Sequence, residues 1–231
     1  MPRTCILFGS IGTIAETSDI QRMAYNRALE KGVIDWTWDR ETYTQLLEMA
    51  GGKERLTLLS RATNADLTSD TIETIHENKT RIAGEMLRKR GLEPRPGVAA
   101  LIEHARANDM KLGFVTTTYE PNIEALFAAL GESVSRKHFD YIGTREDVDE
   151  GKPDPQCYVR ALEKIGVAAD EAIAIEDTAN SVMAARRAGV TTIATPGEFT
   201  AGQDFWQADL VVEALSDADG KLRSEVTAML D

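Results

Sequence analysis

Cysteine is almost missing from this chain. Its 231 residues contain two, Cys5 and Cys157, and neither has the paired spacing of a zinc site or of a small disulfide scaffold. Both therefore read as buried, reduced thiols. An excess of basic charge is missing too. The 26 Lys and Arg residues face 38 Asp and Glu, for a formal net charge of -12. Nucleic acid and an anionic membrane surface both need a basic face, so neither is expected as the main partner. A phosphorylated ligand would have to meet a local basic pocket. Long apolar runs are absent as well: the stretch Cys5-Ile6-Leu7-Phe8 near the start is far too short for a signal-peptide core or a membrane span. The expected compartment is the cytoplasm.

What is present is ample for one folded core. Hydrophobic residues make up 42% of the chain and charged residues 28%, enough for one sizeable core and a smaller helical insertion. Cys5–Phe8 is uniformly apolar and ends at a glycine, which suits a strand buried on both faces of a parallel sheet. The next stretch is helical: residues 19–31 with Asp19 as cap, 39–49, 53–62 and 69–90, the last carrying Ile72, Ile75, Ile82 and Met86 at helical spacing. Pro94-Arg95-Pro96-Gly97 is a rigid turn that marks the return from this insertion. Beyond it strands and helices alternate. Strands are expected at 112–115, 141–142, 172–175 and 191–194, with helices at 98–108, 122–130, 155–165 and 179–188. Short connections and glycines after helices, at Gly166 and Gly189, argue for an α/β fold with a doubly wound, Rossmann-like parallel sheet. The expected division is a core of residues 1–15 and 91–231 with a small all-helical cap of residues 16–90.

Ligands of such sheets sit beyond the carboxyl ends of the strands. Four polar features fall there. The first is the loop Gly9-Ser10-Ile11-Gly12-Thr13. Thr116, at the end of an apolar strand, is either a ligand for a phosphate oxygen or an ordinary capping residue. Lys152, between Gly151 and Pro153, is either a fixed counter-charge or a solvated loop lysine. Glu176 and Asp177 follow Ala172-Ile173-Ala174-Ile175 and either hold Mg2+ or cap the next helix.

Taken together and in order, Phe8 with Gly12-Thr13, Thr116, Lys152 and Glu176-Asp177 resemble the four motifs of the haloacid dehalogenase-like hydrolases. Glu16-Thr17, Asp35-Trp36, Trp38-Asp39, Gly51-Gly52-Lys53-Glu54-Arg55, Thr116-Thr117-Thr118 and Gly151-Lys152-Pro153-Asp154 are similar to the CbbY-type sugar-phosphate phosphatases, relatives of beta-phosphoglucomutase. The resemblance spans essentially the whole chain and implies a cap inserted after the first motif. It also implies an Asp nucleophile, a second Asp as acid and base, and a Mg2+ held partly by the fourth motif. Here the nucleophile position is Gly9 and the acid/base position is Ile11. Gln21 stands where many relatives have a His.

Loss of both carboxylates is expected to cost about 10⁵-fold or more in rate, because such groups act as a unit. Ser10 is the obvious substitute, but alternation along a strand should turn its hydroxyl away from the pocket. His76, His104 and His138 read as structural. What survives suits binding: the N–H groups of Ser10, Ile11 and Gly12, the Thr116 and Thr117 hydroxyls and the Lys152 ammonium can surround a phosphate. Glu16, Gly52, Lys53 and Arg55 are the expected substrate contacts from the cap side. Glu176 and Asp177 form a weakened, ligand-dependent Mg2+ site, since they can pair with Lys152 instead. Three readings stay open: a phosphosugar- or anion-binding protein with little or no phosphatase activity, an active phosphatase with a rearranged site, and a structural or interaction protein.

Overall fold

The structure is a computed structural model that describes residues 3–30, 36–48 and 51–231. Three points of the sequence reading, the helix ends at Lys31 and Met49 and the motif residue Asp35, lie outside the described residues. The central element is a six-stranded parallel sheet made of β1 (Cys5–Phe8), β2 (Lys111–Val115), β3 (Tyr141–Gly143), β4 (Ala172–Glu176), β5 (Thr191–Ala194) and β6 (Leu210–Val211), in the spatial order β3-β2-β1-β4-β5-β6. The two-residue β6 has no counterpart in the sequence reading. It is too short to show periodicity and extends the sheet through main-chain pairing with Ile193 and Ala194.

Burial on both faces explains why the strands carry so few polar residues. Ile6, Phe8, Phe114, Ile173, Ile175 and Ile193 point to one side. There they meet α6 (Val98–Ala107) and α7 (Glu120–Leu130). Cys5, Leu7, Val115, Ala172 and Ala174 point to the other, against α8 (Gln156–Ile165) and α9 (Ala179–Arg187). Successive residues of one strand thus serve opposite cores, as the two-residue period of a strand requires. β1 lies at the centre with Phe8 opposite both Phe114 and Ile175, so the loop that follows it opens at the middle of the sheet's carboxyl edge.

That loop turns at once into the single-turn helix α1 (Ile11–Ile14). Four further helices follow: α2 (Ser18–Glu30), α3 (Arg40–Leu46), α4 (Gly52–Ala62) and α5 (Ser69–Arg90). Asp39 and Thr68 cap the first turns of α3 and α5 through the N–H groups of Thr42 and Thr71. The expected cap of α2 is different: the helix begins at Ser18, and Asp19 lies within its first turn, paired with Arg22 at 2.9 Å. The four helices enclose their own aromatic cluster of Tyr25, Trp38 and Tyr43, packed with Leu29, Leu56 and Ile75.

Two contacts fasten this helical group to the sheet layers. On one side, Leu87 of α5 and Ile20 of α2 pack on Ala125 of α7. On the other, the loop after β5 sends Phe199 into the aromatic cluster, where it is 1% exposed and meets Tyr43 edge-on at 5.9 Å. The Arg40 guanidinium covers the Phe199 ring at 4.3 Å and pairs with Glu198. Arg95, on the returning segment, ties the base together by donating to Gly12 O at 3.2 Å, Thr195 O at 2.6 Å and Pro196 O at 2.7 Å.

Truncation of Phe199 to alanine removes the ring from a filled aromatic cluster and is expected to cost about 3 kcal/mol of unfolding free energy. Urea denaturation of the variant measures it; a change within experimental error would show that the loop after β5 does not brace the helical group.

Candidate functional site

Beyond the carboxyl ends of β1, β2 and β4, between the sheet and the helical group, lies a cavity of about 490 Å³. Ser10, Ile11, Gly12, Thr116, Thr117 and Lys152 line it from the sheet side, with Asp177 beside them. Gly52, Lys53 and Arg55 line it from α4, so the structure brings together residues that lie far apart in sequence. Glu16 and Glu176 are not in its lining.

The centre is arranged around Gly9. A Cβ placed on Gly9 would collide with the Glu176 carboxylate and the Tyr158 hydroxyl. Glu176, fully buried, fills the space that a residue with a side chain would take. Its Oε1 accepts from Lys152 Nζ at 2.7 Å and from the Tyr158 hydroxyl at 2.5 Å. Lys152 also donates to the Gly9 carbonyl, and it lies 5.0 Å from the Tyr158 ring centre. Burial raises the Glu176 carboxyl above its ordinary value and Lys152 pulls it back, while Asp177 pushes it further up. Burial, with Glu176 next to it, holds the Tyr158 hydroxyl well above the usual phenol range.

Asp177 is engaged differently. Its Oδ1 accepts from the Ser10 hydroxyl and, at 3.3 Å, from the Thr13 hydroxyl, while a Cβ on Gly12 would strike its other oxygen. Burial raises its carboxyl, an effect that the Ser10 hydrogen bond and the Arg95 charge oppose. Ser10 itself caps α1, accepting from Thr13 N at 3.2 Å. Its hydroxyl is thus turned toward Asp177 at the cavity margin, which corrects the expectation that it faces away. The chain has already left the strand at Gly9, so strand alternation no longer applies. The first-turn N–H groups of Ile11 and Gly12 have no partner within the helix.

These engagements bear on Mg2+, which hydrolases of the resembled type generally use. One Glu176 oxygen is committed to Lys152 and Tyr158 and the other is buried without a hydrogen bond. Asp177 is held by two hydroxyls. No group of three or more His, Cys, Asp or Glu side chains that could hold a metal occurs among the described residues. As arranged, Glu176 offers no accessible oxygen, so a Mg2+ here would depend on Asp177 together with oxygens of a ligand and water.

The cap-side wall is built from α2, α4, α5 and the loop after β2. Lys53 pairs with Glu73 at 2.5 Å and lies 5.1 Å from the Tyr119 ring; the Glu73 hydrogen bond is the main reason its amine is raised. Arg55 Nε donates to Leu46 O at 2.9 Å. Gly52 is needed for close approach, because a Cβ there would meet the Tyr25 hydroxyl and the His76 ring. Lys79 is 7% exposed; its Nζ donates to Gln21 Oε1 at 2.9 Å and lies 4.9 Å from the Tyr25 ring centre. Burial, reinforced by the Arg55 charge, lowers the Lys79 ammonium from 10.5 to about 7. Burial also lowers His76 from 6.5 to about 4, with Lys79 and Lys53 adding to the effect.

Glu16 stands apart from its expected place. Its two oxygens accept from the N–H groups of Ser18 at 2.9 Å and Glu198 at 3.0 Å, so it staples the start of α2 to the loop after β5. An acid between α1 and α2 meets these main-chain donors close at hand. Lys79, Tyr119 and Arg145 are among the cavity residues that the sequence does not single out, and His76, which reads as structural, lines the cavity too. Lys79 had a visible signal: it lies in register with Ile72, Ile75 and Ile82 on the buried face of α5.

Two outcomes are expected. Lys152→Met leaves Glu176 as an uncompensated buried charge and costs about 3 kcal/mol or more, while adding Glu176→Leu recovers most of the loss. Urea unfolding of both variants decides this, and no recovery in the double variant would show that the pair is not the source. For Lys79, the folded chain releases a proton at about pH 7 that the unfolded chain keeps to its ordinary 10.5. The unfolded state binds more protons across that window, so the lysine's destabilising effect is full below pH 7 and fades as the pH rises toward 10.5. Lys79→Met should therefore be more stable than the parent at pH 6, with the difference closing at alkaline pH. A pH-independent difference would contradict the burial argument.

Residues 4–189 match the haloacid dehalogenase-like hydrolase family. The chain is 36% identical over 223 residues to the protein CbbY of Cereibacter sphaeroides, covering 96% of this chain and 97% of that one. Among solved structures it is similar to CbbY from Rhodobacter sphaeroides in complex with phosphate, with a TM-score of 0.86, 36% identity and coverage of 95% and 99%. An Asp-to-Asn variant of that CbbY, in complex with xylulose-(1,5)bisphosphate, also gives a TM-score of 0.86, at 35% identity and coverage of 96% and 100%. The beta-phosphoglucomutase of Clostridium difficile shares the fold, with a TM-score of 0.78 at 18% identity. On its fold, the ordered residues at the sheet's carboxyl edge and these likenesses, the chain belongs to the haloacid dehalogenase-like hydrolases and within them is similar to CbbY.

Proposed function

We propose that this chain binds a small phosphorylated sugar, or another anion of that size, with little or no hydrolysis. The observation that carries the reading is an anion pocket without a nucleophile. Lys53, Arg55, Arg145 and Lys152 converge on a cavity whose acids are Glu54, Glu150 and Asp177, in a chain of net charge -12. At the end of β1, where the family resemblance calls for the attacking carboxylate, Gly9 has no side chain and Glu176 fills the space under Lys152. A carboxylate bound in this way neutralises the lysine and cannot serve phosphoryl transfer.

In this reading residues 16–90 act as a cap over a core of residues 1–15 and 91–231. The core end of the ligand is a phosphate held by the Thr116 and Thr117 hydroxyls and the first-turn N–H groups of Ile11 and Gly12, beside the Lys152–Glu176 pair. Lys53, Arg55 and Gly52 contact the rest. Mg2+ affinity is weakened relative to an enzyme with the full carboxylate set, because Glu176 is spent on Lys152. CbbY, which binds phosphate and xylulose-(1,5)bisphosphate, makes a sugar bisphosphate the first ligand to try. A second reading, hydrolysis through a rearranged site, is favoured by the Ser10 hydroxyl that donates to Asp177 at the cavity margin.

Thermal unfolding with xylulose-(1,5)bisphosphate, with and without Mg2+, tests the proposal. Stabilisation of about 2.7 kcal/mol is expected when free ligand is about one hundred times Kd. The shift should persist in chelator, shrink in Thr116→Val, and come with no release of inorganic phosphate. Release abolished by Ser10→Ala would favour the rearranged enzyme, and no shift with this or any other phosphorylated sugar would refute ligand binding.

A further inference from the structure

Among the described residues, Lys79 and Lys152 are the lysines buried in the molecule. Lys152 has a carboxylate partner, Glu176 at 2.7 Å. Lys79 has none: its partners are the Gln21 amide oxygen and the face of Tyr25, both uncharged. A buried ammonium without a counter-ion is costly, and the cost falls when the group gives up its proton. The geometry is that of a held amine. One N–H is given to Gln21, the Tyr25 ring backs the nitrogen, and the side chain faces the cavity that Thr116 and Lys152 line from the opposite side.

We infer that Lys79 captures the carbonyl carbon of an open-chain sugar phosphate as a reversible imine. The inference rests on the phosphosugar-binding reading and adds to it the ligand class, an aldose or ketose phosphate whose carbonyl is free. The Nζ lone pair forms a bond to the carbonyl carbon, and the C=O π pair moves to oxygen, which takes a proton. The nitrogen loses one proton to give the carbinolamine; its hydroxyl then takes a second proton and leaves as water while the nitrogen lone pair forms the C=N bond, and the nitrogen gives up its remaining proton. Amine plus carbonyl gives imine plus water, with no change of oxidation state and no co-reactant.

Surroundings support the step. Burial with Arg55 nearby brings the amine to about 7, so a large share is the nucleophilic free base at neutral pH, as a desolvated lysine beside another cation requires. His76, one turn earlier on α5 and in the same lining, is kept neutral by its own burial and can pass a proton between nitrogen and departing oxygen. The remaining charged groups of this wall are Lys53, paired with Glu73, Glu54 and Arg55, and among the described residues no carboxylate forms a hydrogen bond or ion pair with Lys79.

The test is reductive trapping. The full chain is incubated with glyceraldehyde 3-phosphate and sodium cyanoborohydride, and the adduct is mapped by peptide mass spectrometry. Thermal shift with glycerol 3-phosphate, which has the phosphate and no carbonyl, is run alongside. One adduct concentrated at Lys79, reduced by about tenfold or more in Lys79→Arg while the glycerol 3-phosphate shift is kept, would establish the inference. Lys79→Arg retains a cation and cannot form the imine, and its unfolding midpoint confirms that it folds. Glycerol 3-phosphate binding with adducts spread over surface lysines would overturn the imine and leave the binding reading standing. Absence of both the shift and a selective adduct would overturn both.

Discussion

The ion pair between Lys152 and Glu176 sits where the middle strand of the sheet ends, and the centre of the molecule is arranged around it. Both side chains are almost fully shut off from water, 2.7 Å apart. Two opposite charges in such a place are tolerable only when each has further partners. Lys152 finds the Gly9 carbonyl and Glu176 finds the Tyr158 hydroxyl. The geometry works because Gly9 has no Cβ. Any side chain at that position would occupy the volume of the Glu176 carboxyl, so the missing residue and the inward-facing acid are one feature. The same logic runs through Gly12 and Asp177, whose carboxylate occupies the space beside that glycine.

Charge and solvation then shape the rest of the pocket. With Glu176 neutralising Lys152 and Asp177 held by Ser10 and Thr13, the sheet side offers hydroxyls and N–H groups more than free charge. The helical side offers the reverse. There Lys53, Arg55 and Lys79 stand around a wall of Tyr25, Tyr119 and His76, and burial lowers both Lys79 and His76. An anion arriving in such a cavity gains from cations that the apo protein keeps at a cost. This is the common physical mark of a binding site, because stability alone would favour apolar replacements. Phe199 and the Arg40–Glu198 pair join the helical group to the loop after β5.

Much of this was legible beforehand, for reasons that differ from element to element. The strands β1, β2, β4 and β5 declare themselves because burial on both faces leaves unbroken apolar runs such as Ala172-Ile173-Ala174-Ile175. The long helix α5 declares itself through its Ile spacing. Thr116, Lys152 and Asp177 were placed in one cavity because strand ends in a parallel sheet converge by topology. β6 was not legible, since two residues cannot show a period. Glu16 misled because an acid near a pocket in sequence was captured by main-chain N–H groups of Ser18 and Glu198. Ser10 misled because alternation was extended two residues past the strand. Lys79 carried the clearest unread signal, a lysine on the buried face that carries Ile72, Ile75 and Ile82.

The misreadings share one cause. Sequence patterns report which side of an element a residue occupies, whereas the chemistry here depends on which neighbour takes each polar atom. Glu176 shows the difference. Its position at the end of an apolar strand suits a metal ligand, and resemblance points the same way. What decides its role is the vacant volume at Gly9, which lets the carboxyl turn inward to Lys152 and leaves its second oxygen buried without a donor. A carboxylate in water exchanges such partners cheaply; one enclosed beside an ammonium does not, because leaving the pair exposes an uncompensated charge to a low-dielectric interior. A glycine at the end of β1 therefore acts beyond its own position: through the buried pair it fixes where the Glu176 carboxyl lies and which of its oxygens has a partner.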